Sequence, residues 1–62
     1  MSWSTEREIA FITGLGTGLF NQHGKSKNRQ VLLKNYIAAA KKRTNWGNID
    51  AKEVINTAKA ML

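Results

Sequence analysis

Three lysines recur at seven-residue spacing in the middle of the chain: Lys27, Lys34 and Lys41. Seven residues are nearly two turns of an α-helix, so the three ammonium groups would lie on one side, about 10 Å apart along the axis. Lysine ammonium groups contact nucleic-acid phosphates, which releases counterions and positions the protein without selecting a base sequence. The spacing therefore predicts a row of phosphate contacts with low sequence specificity.

The charge around this row has one sign. The chain has ten basic and four acidic residues, a net charge of +6, and no acid occurs between Ile9 and Ile49. Such a block favours a polyanion such as nucleic acid, or an acidic protein surface. The alternative is a solvated helix face that only keeps the protein soluble. The predicted nucleic-acid-binding residues are Lys25, Lys27, Arg29, Lys34, Lys41, Lys42 and Arg43.

A phosphate-binding loop of the nucleotide-hydrolase type is suggested by Gly24-Lys25-Ser26 but fails on spacing. That motif requires four residues between its two glycines, whereas five separate Gly18 from Gly24, and Leu19 stands where the first glycine belongs. His23 has no nucleophile or second ligand near it in the sequence. We therefore predict a protein that is not an enzyme, with no catalytic residues, cofactor or metal site.

The fold class follows from the apolar pattern. No segment alternates with a period of two, whereas apolar residues recur at the i, i+3, i+4 spacing of amphipathic helices. The prediction is all-α: one small domain, a three-helix bundle over about residues 4–15, 26–43 and 50–61. A chain of this size buries only about 60% of its unfolded surface, and it has no cysteine. A homodimer, which would bury more surface, therefore remains an open alternative.

Polar residues mark where the helices begin. Thr5 and Glu8 have the spacing of a capping box, with Ser2 and Ser4 as competing caps, and Asp50 with Glu53 repeats that spacing before the third helix. Ser26 is placed to cap the middle helix, which is expected to organise the other two. Its predicted core face comprises Leu32, Leu33, Tyr36, Ile37, Ala39 and Ala40, with the lysine row opposite.

The third helix has the most regular apolar spacing. Its predicted core residues are Ala51, Val54, Ile55, Ala58, Met61 and Leu62, and its other face comprises Lys52, Asn56, Thr57 and Lys59. Because the apolar pattern reaches Leu62, we expect the end of the chain to be docked. Lys52 and Lys59, on that other face, are expected to matter less for phosphate binding than the lysine row.

A second hypothesis is an adaptor or inhibitor that binds an acidic partner protein. Its apolar anchors, rimmed by lysines as at protein interfaces, would be Phe11, Leu15, Phe20 and Trp46. Aromatic residues buried in the fold would favour nucleic-acid binding, and an aromatic patch beside the basic face would favour a protein partner. Trp3 is expected to pack back on the first helix, and Trp46 to cover the end of the core rather than to stack a base.

In size and composition the chain resembles short helical accessory proteins encoded by bacteriophages, a resemblance that involves no specific residues and assigns no site. No apolar segment approaches the roughly 18 residues of a membrane-spanning helix, and the start, MSWSTERE, lacks the basic region of a secretory signal. We therefore expect a cytoplasmic protein without a membrane partner, with peripheral attachment to an anionic membrane as a weaker alternative.

Overall fold

The computed structural model describes residues 3–14 and 27–62, which contain three α-helices and no strand. The helices are α1 (Thr5–Thr13), α2 (Lys27–Lys42) and α3 (Ala51–Ala60). The predicted all-α bundle of three helices is confirmed, and each observed helix ends within one or two residues of its predicted bounds. Within the described ranges, every helix is too short or too polar to cross a membrane.

Ser4 caps the beginning of α1. Its hydroxyl oxygen accepts a hydrogen bond from the Arg7 amide at 3.1 Å. Thr5 is the first helical residue, and its hydroxyl oxygen accepts a 2.8 Å hydrogen bond from the Asp50 amide. The predicted capping box on Thr5 and Glu8 is therefore wrong, and the competing cap Ser4 is correct. Thr5 instead joins the beginning of α1 to the beginning of α3.

The predicted cap of α3 is confirmed, and glycines lie at the end of α1 and in the loop before α3. Asp50 caps α3, because its Oδ1 accepts a hydrogen bond from the Glu53 amide at 3.3 Å. Gly14 ends α1 at φ 84°, and Gly47 reverses the chain between α2 and α3 at φ 60°. Glycine adopts this left-handed conformation without steric cost. The proposed cap of α2 at Ser26 lies outside the described residues.

The core lies between α3 and the other two helices. Ile12 of α1, Leu33 of α2 and Val54 of α3 are fully buried, and α3 packs against both α1 and α2. The bundle is therefore organised around α3, not around α2 as predicted. Ala58 is also fully buried, and its small side chain allows close packing. Partly buried residues then surround the core, namely Ile9, Tyr36, Trp46, Ile55, Met61 and Leu62, so the end of the chain is docked as predicted.

The core face of α2 is rotated from the predicted one. Leu33 and Ile37 are buried, but Leu32 is 46% exposed and Ala39 is exposed. The prediction is wrong at Leu32 and Ala39, because α2 packs against α3 on the side of Leu33 and Ile37. Consequently, the lysine row does not lie directly opposite the core. Lys34 and Lys41 instead share a surface depression with the buried Ile37, so these two lysines of the row flank the contact between α2 and α3.

Candidate nucleic-acid interface

Lysines from two helices surround one shallow depression, here called the basic depression. Lys34 and Lys41 come from α2, and Lys59 comes from α3. All three are exposed, and the depression has a volume of about 430 Å³. Its remaining lining residues are apolar: Ile37, Ala38 and Leu62. The basic depression therefore presents three ammonium groups around an apolar floor, with no acidic side chain in its lining.

The antiparallel packing of α2 and α3 explains why Lys59 joins the lysines of α2. Arg29 Nη1, near the beginning of α2, donates a 3.1 Å hydrogen bond to the carbonyl of Met61, just after α3. The last turn of α3 therefore lies beside the first half of α2, and Lys59 lines the same depression as Lys34. From the sequence alone, Lys59 is expected on a separate face, because the spacing within one helix carries no information about the neighbouring helix.

The other predicted phosphate contacts do not line the basic depression. Lys27 is exposed at the beginning of α2, and Lys42 is exposed in its last turn. Arg29 is partly buried and bonded to the Met61 carbonyl, so it helps to hold α2 against the end of the chain. Lys25 lies outside the described residues.

Three consecutive cations lie at the end of α2: Lys41 and Lys42 in its last turn, and Arg43 just after it. Consecutive helical residues point about 100° apart, and the Arg43 amide continues the turn with a 3.2 Å hydrogen bond to the Ala40 carbonyl. Lys41 lines the basic depression, whereas the Arg43 guanidinium lies over the Trp46 ring. The cations therefore surround the end of α2, where they also stabilise the partial negative charge of its last carbonyls.

Trp46 and Arg43 form a unit held by several contacts. The Arg43 Cζ lies 4.2 Å from the Trp46 ring centroid, and the Trp46 Nε1 donates a 3.0 Å hydrogen bond to the Arg43 carbonyl. The Arg43 Nε donates a 3.1 Å hydrogen bond to the Asn45 carbonyl. Trp46 is partly buried and packs against the core, so the prediction that it covers the end of the core is confirmed.

Trp3 packs on α1 and stays accessible. Its ring is 44% exposed and meets the Phe11 ring edge-on, with the centroids 6.2 Å apart. The Arg7 Cζ lies 5.3 Å from the Trp3 ring centroid. Trp3 therefore packs back on the first helix, as predicted. It also lines an open depression of about 250 Å³, here called the aromatic corner, whose lining residues are Trp3, Arg43, Asn45, Trp46, Gly47 and Ile49.

The anchors predicted for a protein partner are only partly described. Phe11 is 36% exposed on α1, and Trp46 is partly buried. Leu15 and Phe20 lie outside the described residues. The described aromatic residues are therefore not all buried, and the four-residue patch stays a prediction.

A third depression runs along the outer side of α3 and differs in charge. It has a volume of about 540 Å³, and Asp50 and Glu53 line it together with Lys52. The other lining residues are Asn56, Thr57 and Ala60. Every one of these residues belongs to α3 or its cap, so this is the surface of one helix, and its acids partly neutralise Lys52.

One carboxylate is buried rather than exposed. Glu8 is buried, and its Oε2 accepts a 2.7 Å hydrogen bond from the Tyr36 hydroxyl. Burial raises the pKa of Tyr36 well above its ordinary value, and the Glu8 hydrogen bond and charge add to the increase, while Arg43 opposes it. A hydroxyl held protonated in this way connects α1 with α2 and has no nucleophilic character.

The part of the chain that the structure describes contains no group of three or more metal-ligating side chains. Comparison of the chain with protein-family models, curated proteins and solved structures finds no match. Function must therefore be inferred from the surface itself.

Proposed function

We propose that this protein is a small, non-enzymatic nucleic-acid-binding protein that contacts backbone phosphates through the basic depression and the cations at the end of α2. The supporting observation is that Lys34 and Lys41 of α2 and Lys59 of α3 line one depression. No acidic residue lines it. A nucleic-acid backbone supplies anions at close, regular intervals, which suits such a cluster.

The physical argument concerns repulsion between the lysines. Three ammonium groups around an apolar floor repel one another, and a phosphate between them replaces that repulsion with attraction. A face that serves only solubility typically intersperses both signs of charge, as the outer side of α3 does with Asp50, Lys52 and Glu53. Lysine is a point charge on a flexible stem, so we expect these contacts to bind nucleic acid with little sequence preference.

Two single substitutions on α3 test the basic depression. Lys59→Ala and Lys52→Ala remove the same charge from exposed positions of one helix, but only Lys59 lines the basic depression. We expect Lys59→Ala to reduce the salt dependence of duplex affinity by about 0.9 in the slope of log affinity against log salt. Lys52→Ala should change the slope much less, because Asp50 and Glu53 lie beside it. Equal changes would show that only net charge matters and would contradict the proposed site.

A second candidate, an adaptor or inhibitor that binds a partner protein, is favoured by the exposed pair of Trp3 and Phe11 beside Arg7. Tryptophan and arginine are enriched among the residues that dominate protein interfaces. A pull-down from nuclease-treated and untreated lysate separates the candidates. A nucleic-acid-binding protein loses its captured material after nuclease treatment, whereas an adaptor retains its partner.

We also propose that the protein acts in the cytoplasm, since a chain without cysteine suits a reducing compartment. A regulatory role of the kind served by bacteriophage accessory proteins agrees with its size and composition.

A further inference from the structure

Two tryptophans from opposite parts of the chain line the aromatic corner. Trp3 precedes α1 and Trp46 follows α2, yet both border the same open depression. The Trp46 N–H is already bonded to the Arg43 carbonyl, and the Arg43 guanidinium lies over its ring. A planar group that enters this depression would therefore meet an indole ring and a guanidinium, the two side-chain types on which unpaired bases stack.

The loop of the aromatic corner leaves room for such a group. Gly47 has φ 60°, and among the described residues only the glycine itself and its chain neighbours Trp46 and Asn48 can have an atom within 4 Å of the position that a side-chain carbon would occupy there. The backbone beside Trp46 is thus accessible from outside. The volume of about 250 Å³ is below the roughly 300–1,000 Å³ of typical small-molecule pockets, which suits one planar group rather than a larger ligand.

Charge favours a polyanion as the occupant. Arg7 lies over Trp3, Arg43 lies over Trp46, and no acidic residue lines the aromatic corner. Lys42 and Lys41 continue the positive charge around the end of α2 to the basic depression. One strand could therefore contact both places, with its phosphates on the lysines and a base at the corner. A base within a duplex is already stacked and paired, so the occupant must be unpaired.

We propose that the aromatic corner stacks an unpaired base, which gives this protein a preference for single-stranded nucleic acid. This inference rests on the proposed function, because the lysines supply the phosphate contacts that hold the strand.

The test uses a short oligothymidylate and an abasic strand of equal length, which carries the same phosphates but no bases. Trp3 and Trp46 are the two tryptophans of the chain, so quenching of intrinsic fluorescence reports directly on the corner. We expect oligothymidylate to quench the fluorescence and to bind roughly 5- to 150-fold more tightly than the abasic strand, the range typical of stacking one base on an aromatic side chain.

Two variants at position 3 make the test specific. Trp3→Ala should remove most of the difference between the two strands and leave affinity for the abasic strand unchanged. Trp3→Phe keeps an aromatic face and should retain most of the difference. Trp3 is 44% exposed, so the fold should tolerate both changes, and circular dichroism checks that it does. Trp46 is left intact because it packs against the core.

The outcomes separate this inference from the proposed function. Equal affinity for both strands, with a salt dependence that requires the lysines, would overturn base stacking and leave phosphate binding in place. Absence of binding to either strand and to duplex would overturn both. A protein captured from nuclease-treated lysate by the wild type but not by Trp3→Ala would show that the corner docks a protein, and would also overturn base stacking.

Discussion

The Tyr36 hydroxyl donates a 2.7 Å hydrogen bond to Glu8 Oε2, which connects the middle of α2 to α1. Glu8 is only 7% exposed, and a buried carboxylate is costly unless it is hydrogen-bonded. Since α3 is the helix that packs against both of the others, this bond supplies a direct polar link between α1 and α2. It also keeps one of the four acids away from the basic surface.

We expect Tyr36→Phe to destabilise the fold by about 1–3 kcal/mol, because the buried carboxylate loses a donor while keeping its desolvation cost. Urea unfolding followed by circular dichroism measures the change. Glu8→Gln keeps an oxygen that can accept the Tyr36 hydrogen bond, so it should lower the free energy of unfolding by less than Tyr36→Phe does. A change of only a few tenths of a kcal/mol for Tyr36→Phe would show that the bond contributes little to stability.

Alkaline pH should weaken the fold through the same residue. Tyr36 is the only tyrosine, and its pKa is raised above the ordinary value of 10.0, mainly by burial. The folded state therefore keeps the phenol proton at a pH where the unfolded state has lost it, so stability falls as pH rises above about 10. Unfolding midpoints across this range should fall more steeply for the wild type than for Tyr36→Phe. The variant is the control for the lysines, which titrate in the same pH range in both proteins. Tyrosinate absorbance that appears at the ordinary pKa in the folded protein would contradict the raised value.

Two adjacent leucines test the orientation of α2. Leu33 is fully buried and Leu32 is 46% exposed, although the sequence predicts both in the core. We expect Leu33→Ala to cost about 2–5 kcal/mol and Leu32→Ala to stay within about 0.5 kcal/mol. Urea unfolding measures both, and the identical substitution makes each the control for the other. Similar costs would mean that α2 is rotated from the orientation described.

The helix positions were predictable because their signals are local. Asp50 caps α3 at the predicted position, and Ser4 is one of the caps that the sequence predicts for α1. The orientation of α2 was not predictable in the same way. Leu32 and Leu33 are both apolar, and which of them is buried depends on where α3 packs. The capping box predicted on Thr5 and Glu8 is wrong for the same reason, a tertiary contact. The Thr5 hydroxyl oxygen accepts a hydrogen bond from the amide of Asp50, which is 45 residues away in the sequence.

In the candidate site, too, the residues of one helix were predictable from local spacing, and those added by a neighbouring helix were not. Lys34 and Lys41 follow from seven-residue spacing within one helix, and the structure places both at the basic depression. Lys59 joins them only through the antiparallel packing of α3. Trp3 and Trp46 both line the aromatic corner although 42 residues separate them in the sequence. Residues brought together by tertiary packing leave no spacing signal in one sequence.

Duplex affinity measured at several salt concentrations, for the wild type and for Lys34→Ala/Lys41→Ala/Lys59→Ala, tests the central proposal most directly. Alanine favours helix and the three lysines are exposed, so the fold should survive, as circular dichroism can verify. If each lysine neutralises one phosphate, the slope of log affinity against log salt should flatten by about 2.7, at roughly 0.9 per contact. An unchanged slope in the folded triple variant would contradict phosphate binding at the basic depression.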